Sequence, residues 1–138
     1  NPEIIIDEVK ELVQAKADDN IFNFIDALGK KDKARALKLL EDQLNSGVNG
    51  LYILTMITSQ FRTLIKVKIL SEKINNSFAI SQTLKIHTFV ASKTLAMSKL
   101  YTLAELKKIY QQLLTIDAKL KTGQGKERLL FAQMIEKL

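Results

Sequence analysis

A chain of 138 residues, 46% of them hydrophobic, can bury about two thirds of the surface its unfolded form exposes, and its lack of cysteine excludes a disulfide framework or a thiolate metal site. No apolar run approaches the roughly 18 residues of a membrane span, and no signal-peptide layout opens the chain. The formal net charge of +6 divides into −3 over residues 1–45 (7 Lys/Arg, 10 Asp/Glu) and +9 over the remainder (14 and 5), a split that suits an acidic partner, nucleic acid or a plain solvated lysine surface.

Proline occurs once, at position 2, and glycine five times, while apolar residues recur at steps of three and four. This pattern predicts an all-α chain, a compact bundle of six to seven helices. The chain begins at Asn1 and runs at once into Ile4-Ile5-Ile6, which reads as the interior of a longer polypeptide. A first helix over Glu3 to Lys16 carries Ile5, Val9, Leu12 and Val13 on its apolar stripe. The polar stretch Ala17-Asp18-Asp19-Asn20 then interrupts the pattern and marks a domain boundary, with residues 1–18 as a connector and 19–138 as the main domain.

A second helix opens at Asp19 or Asn20 with Ile21, Phe22, Ile25 and Leu28 facing inward, and Gly29 closes it in the left-handed conformation. Asp32 caps a third helix whose Ala36, Leu37, Leu40 and Leu44 face the core, up to Ser46-Gly47. A long fourth helix, Asn49 to Asn75, forms the spine, with Ile53 or Leu54, Ile57, Phe61, Leu64, Ile65 and Ile69 along its stripe. Arg62, Lys66 and Lys73 fall on one polar side of it, a candidate basic contact surface.

The segment Ala79 to Leu100 has the outline of a helix-turn-helix, but the second helix starts Thr88-Phe89-Val90-Ala91-Ser92-Lys93. A base reader places Arg, Asn or Gln there, because those side chains bond base edges in pairs. The segment therefore reads as a structural hairpin with Phe89 and Val90 in the core, and His87 as a polar turn residue before the second helix. Thr102-Leu103-Ala104-Glu105 is a capping box opening the next helix to Lys121 or Thr122, with Leu103, Leu106, Ile109, Tyr110, Leu113, Ile116 and Leu120 inward and Gly123 and Gly125 ending it. Asp117 and Lys121 are spaced as an ion pair. A last amphipathic helix from about Lys126 carries Leu129, Leu130, Met134, Ile135 and Leu138.

Chemistry-bearing patterns are missing. His87 has no second ligand for zinc, and Thr122-Gly123-Gln124-Gly125-Lys126 lacks both the spacing and the preceding strand of a phosphate loop. No nucleophile, base and orienting group stand together, so the residues predict no catalytic site, no cofactor site and no metal site. What remains is a helical interaction domain, with a basic nucleic-acid-binding domain as the alternative.

The order of features goes further than any single motif. Asn20-Ile21-Phe22 with Asp26-Ala27-Leu28, Ala36-Leu37-Lys38-Leu39-Leu40, Gln60-Phe61-Arg62 with Leu64 and Val67-Lys68, Leu84-Lys85-Ile86-His87 with Phe89-Val90, and Asp117 with Leu120-Lys121-Thr122-Gly123 follow in turn. Over residues 19–138 this resembles the C-terminal part of the delta subunit of the bacterial DNA polymerase III clamp loader. Thr88 departs from it, since a proline often follows the histidine there. The resemblance implies a collar-type helical domain at 19–138, preceded in 1–18 by the end of the lid domain. It implies partners of the gamma/tau and delta-prime type through the collar, contact with the sliding clamp only through a separate N-terminal module, and only indirect contact with DNA. It further implies a cytoplasmic protein of DNA replication that neither binds ATP nor opens the clamp through this part.

Overall fold

The computed structural model describes the backbone of residues 2–138 and the side chains of residues 5, 6, 8, 9 and 20–138. Seven helices follow one another: α1 (Pro2–Gly29), α2 (Lys33–Asn45), α3 (Gly50–Ser71), α4 (Ser77–Leu84), α5 (Thr88–Ser98), α6 (Leu103–Lys121) and α7 (Glu127–Glu136). Most starts are set by a short side chain that accepts from a free backbone N–H. Asp32 accepts from Arg35, Asn49 from Leu51, Asn76 from Ala79 and Thr102 from Glu105. The Thr102–Glu105 capping box is complete in both directions.

The interruption expected at Ala17 to Asn20 is not there, and α1 runs unbroken from Pro2 to Gly29. Asp and Asn cost only a fraction of a kcal/mol inside a helix, and with neither glycine nor proline in the stretch nothing forces a stop. Gly29 does not take the left-handed conformation expected of it; Lys31 does, at φ 59°. The Lys31 N–H donates to the Leu28 carbonyl at 3.1 Å and the Asp32 N–H to that of Ala27 at 2.9 Å, the paired bonds of a Schellman stop. Gly29 instead makes room for packing, since a Cβ there would sit 2.5 Å from Met97 Sδ and would push that side chain aside.

Packing then sorts the apolar residues. Among the described residues of α1 the buried apolar set is Ile21, Phe24, Ile25, Ala27 and Leu28, while Phe22, expected inside, is half exposed. Steps of three, four and seven put Phe24 on the buried stripe, and Phe22 lies outside it. In α7 the same correction applies: Phe131 is fully buried and Leu129 is 56% exposed. α3 is the central helix, packed against α6 on one side and α5 on another, with α1 on α2 and α2 on α7 completing the main body. Its Ile53, Leu54, Ile57, Phe61 and Leu64 share the main core with Leu106, Leu113 and Phe131.

A smaller cluster of Val67, Ile80, Ala91 and Leu95 joins the far end of α3 to the α4–α5 hairpin. Ile74 packs against this cluster, which turns the chain there and stops α3 at Ser71 instead of Asn75. Ile69, expected on the α3 stripe, is half exposed because Val67 takes the inward position.

Candidate interaction surfaces

Among the described residues no group of three or more His, Cys, Asp or Glu side chains converges, and no helix is long and apolar enough to cross a membrane. What the surface offers is contact area, in three places.

The basic row is the first. Arg62 and Lys66 project from α3, but Lys73 lies beyond its end at Ser71, so the helical spacing that aligned all three does not reach it. Arg62 donates from Nε and Nη2 to the Tyr110 hydroxyl at 3.4 and 3.2 Å, so its guanidinium is occupied in tying α3 to α6. Lys66 and Lys73 remain exposed. Asp117 and Lys121 form the expected ion pair at 3.0 Å on α6.

The second surface lies between α6 and α7. An open groove of about 320 Å³ is floored by Ile116, Leu130 and Met134 and rimmed by Lys108, Lys119 and Lys137, with glutamines between them.

The third centres on Asp26, a buried carboxylate on α1. Lys30 Nζ lies 3.1 Å and Arg35 Nη1 3.4 Å from Oδ2, while Lys93 Nζ of α5 lies 3.0 Å from Oδ1. Burial pushes the carboxyl up, but the ammonium groups of Lys93 and Lys30 outweigh it and hold it below the ordinary carboxylate range. The Lys93 ammonium also sits 5.0 Å from the centre of the Phe22 ring. The i,i+4 spacing of Asp26 and Lys30 is legible in the sequence, whereas the partnership with Lys93 depends on how α5 docks on α1.

α5 itself departs from expectation. Phe89 is 64% exposed, not core, and Val90 is half-buried. Met97, also buried, faces Gly29 of α1, while the side of α5 that meets α3 and α4 carries Ala91, Thr94, Leu95 and Ser98. At about 100° per residue, Phe89 points half a turn away from that side. His87 does cap the helix, its Nδ1 accepting from the Phe89 N–H at 3.0 Å. Lys85 ends α4 in the left-handed conformation, φ 56°.

Behind the third surface the fold is locked by Tyr101. Its hydroxyl donates to the Leu28 carbonyl at 2.6 Å, and its ring meets Phe61 edge-on at 6.1 Å. Burial, then the nearby Glu105 charge, push its hydroxyl pKa far up, so it stays a donor. Lys31 lies 4.6 Å from the centre of the same ring and pairs with Glu105 at 3.1 Å. The Thr102 backbone N–H, then Lys31, hold Glu105 below its ordinary value.

A family profile described as "DNA polymerase III delta subunit, C-terminal domain" matches residues 18–138. The DNA polymerase III subunit delta of Bacillus subtilis is 30% identical over 128 residues, 93% of this chain and 37% of that protein. The probable DNA polymerase III subunit delta of Aquifex aeolicus is 29% identical over 117 residues, 83% of this chain and 33% of the relative. Among solved structures, the Bacillus subtilis DNA clamp loader delta protein superposes with a TM-score of 0.79 at 27% identity, covering 95% of this chain and 39% of that one. The chain thus spans between 33% and 39% of the length of these relatives.

Proposed function

This chain belongs to the family formed by the C-terminal domains of DNA polymerase III delta subunits, and we propose that it is the helical collar domain that holds a delta subunit in the ring that loads the sliding clamp in DNA replication. The observation that carries this reading is the match of the whole seven-helix arrangement to a clamp loader delta protein over 95% of the chain. The domain works by contact and performs no chemistry: it supplies a rigid helical body whose outer faces meet neighbouring domains.

Within that reading, residues 1–18 are the end of a preceding lid domain and 19–138 the collar domain, joined by α1 as a continuous strut. The match of the family profile from residue 18 supports this division, as do the exposed Ile5, Ile6 and Val9 on the first half of α1. The partners are subunits of the gamma/tau and delta-prime type, the compartment is the cytoplasm, and the clamp is reached through a different part of the parent chain. Of the basic row, Arg62 is engaged by Tyr110 and Lys66 and Lys73 stay exposed, the one on α3 and the other beyond its end.

The test is to mix the full-length parent chain with its presumed neighbouring subunits and measure complex size by sedimentation. A discrete complex at micromolar concentration is expected. Folded components that stay apart at tens of micromolar would refute the reading. A nucleic-acid-binding domain predicts instead steeply salt-dependent binding to DNA by this chain alone.

A further inference from the structure

We infer that the groove between α1 and α5 is the seat for one apolar-faced helix of a neighbouring protein in the ring, with acidic side chains flanking its apolar residues; this rests on the assignment of the domain to the collar. α5 is apolar on two opposite sides. Ala91, Thr94, Leu95 and Ser98 are buried against α3 and α4 and Met97 against α1, whereas Phe89 and Ala96 lie about half a turn round from the first four and are exposed, as is Leu100 beyond the helix, which lines the same hollow as Ala96. α1 covers only the Met97 flank of this outer side, and a helix with further exposed apolar residues there belongs between two bodies.

The outer side is more than scattered apolar residues. Phe22 of α1 is 51% exposed and Phe89 of α5 is 64% exposed, and both line one narrow slot with Val90 and Met97. A second hollow of about 230 Å³ continues past Lys93 to Ala96 and Leu100. The slot, about 50 Å³, and the hollow share Lys93 and Met97 in their linings and so adjoin along α5, where the exposed rings and Leu100 present an apolar strip to the face of a docked helix.

Charge selects the occupant. The cluster beside the slot holds three cations, Lys30, Arg35 and Lys93, against the single carboxylate of Asp26, a local excess of +2. The Lys30 and Arg35 side chains are 56% and 43% exposed, so they reach a partner's flank. A second copy of this chain would bring the same positive excess against itself across a two-fold interface, which disfavours it. The exposed Ile5, Ile6 and Val9 at the other end of α1 leave this groove clear of a preceding domain on the collar reading, since from Val9 to Phe22 the helix advances about 20 Å and turns to nearly the opposite side.

The test uses the full-length parent chain and its neighbouring subunits. Phe22→Ala and Phe89→Ala are each expected to weaken assembly at least tenfold, while the thermal midpoint of the free chain falls by no more than about 3 °C, because neither ring is in the core and Phe22 gives up only its contact with the Lys93 ammonium. Phe78→Ala removes an equally exposed ring on α4 and should change assembly less than twofold. Assembly by the unmodified chain should weaken with added salt. The inference is overturned if the unmodified chain assembles and both variants match it. It is equally overturned if the isolated full-length chain already shields Phe22 and Phe89 from hydroxyl-radical labelling, or if Phe89→Ala abolishes a concentration-dependent homodimer. If the unmodified chain does not assemble at all, the collar assignment fails and this inference with it.

Discussion

Asp26→Asn probes the centre of the third surface without changing its shape. The carboxylate is 10% exposed and faces three cations whose side chains are 56%, 43% and 30% exposed. Exposed pairs contribute about 0.2–1 kcal/mol each, and bonds to a desolvated charge about 1.5–3 kcal/mol. Three partly exposed contacts on one buried carboxylate therefore stabilise the fold by about 2 kcal/mol after discounting for solvent. For a domain of this size that corresponds to a drop of roughly 6 °C in thermal midpoint. The pH dependence carries a sign. The folded-state pKa of Asp26 lies below its ordinary 3.8, so the stabilisation is fully present above that value and fades as pH falls through the lower folded value. Thermal scans of wild type and Asp26→Asn should show a constant gap at neutral pH and a narrowing gap below about pH 4. Equal midpoints at pH 7, or a gap that persists unchanged in acid, would refute the reasoning. A Lys93→Met cycle should recover at least about 0.5 kcal/mol of coupling, since Lys93 is the least exposed of the three cations.

Three other outcomes follow from the same geometry. Tyr101→Phe removes a 2.6 Å buried bond while the Leu28 carbonyl keeps its bond from Lys31, so urea unfolding should show a loss of about 1–1.5 kcal/mol. Lys85→Gly relieves a left-handed lysine at φ 56° and should raise stability by about 0.5 kcal/mol; a decrease would show that something other than the backbone sets this turn. Phe131→Ala should cost about 3–4 kcal/mol and Leu129→Ala less than about 0.5 kcal/mol, a contrast that denaturant titration separates clearly.

Much of the fold is legible in the sequence because helices are made by local interactions. Asp32 and Thr102 announce their helix starts through side chains that satisfy N–H groups three residues on, and Gly123 its stop through a left-handed turn. Local signals fail where they are weak or ambiguous. Three polar residues at 18–20 resemble a break, yet a helix flanked by good formers carries through them. Adjacent aromatic and apolar residues, Phe22 against Phe24 and Phe89 against Val90, cannot be ranked by propensity, because the winner depends on where the neighbouring helix lies.

The candidate surfaces are legible to a smaller extent. The spacing of Arg62 and Lys66 is visible, but not that Tyr110 holds Arg62, nor that α3 ends before Lys73. The outward apolar residues of α5 stand at helical spacing in the sequence and point to the core from there, since periodicity tells that a face is apolar and not what covers it.

By itself the sequence determined an all-helical chain, most of its helix ends, and an ordered set of residues sufficient to point to the delta family, since each depends on contacts within one helix turn or on the linear order of residues. Only the tertiary structure decided that Gly29 yields space to Met97, that Tyr101 closes the end of α1, and that Lys93 meets Asp26. It also decided that one side of α5 is left open. These are contacts between residues far apart in the chain, set by how whole helices pack, and no local pattern encodes them.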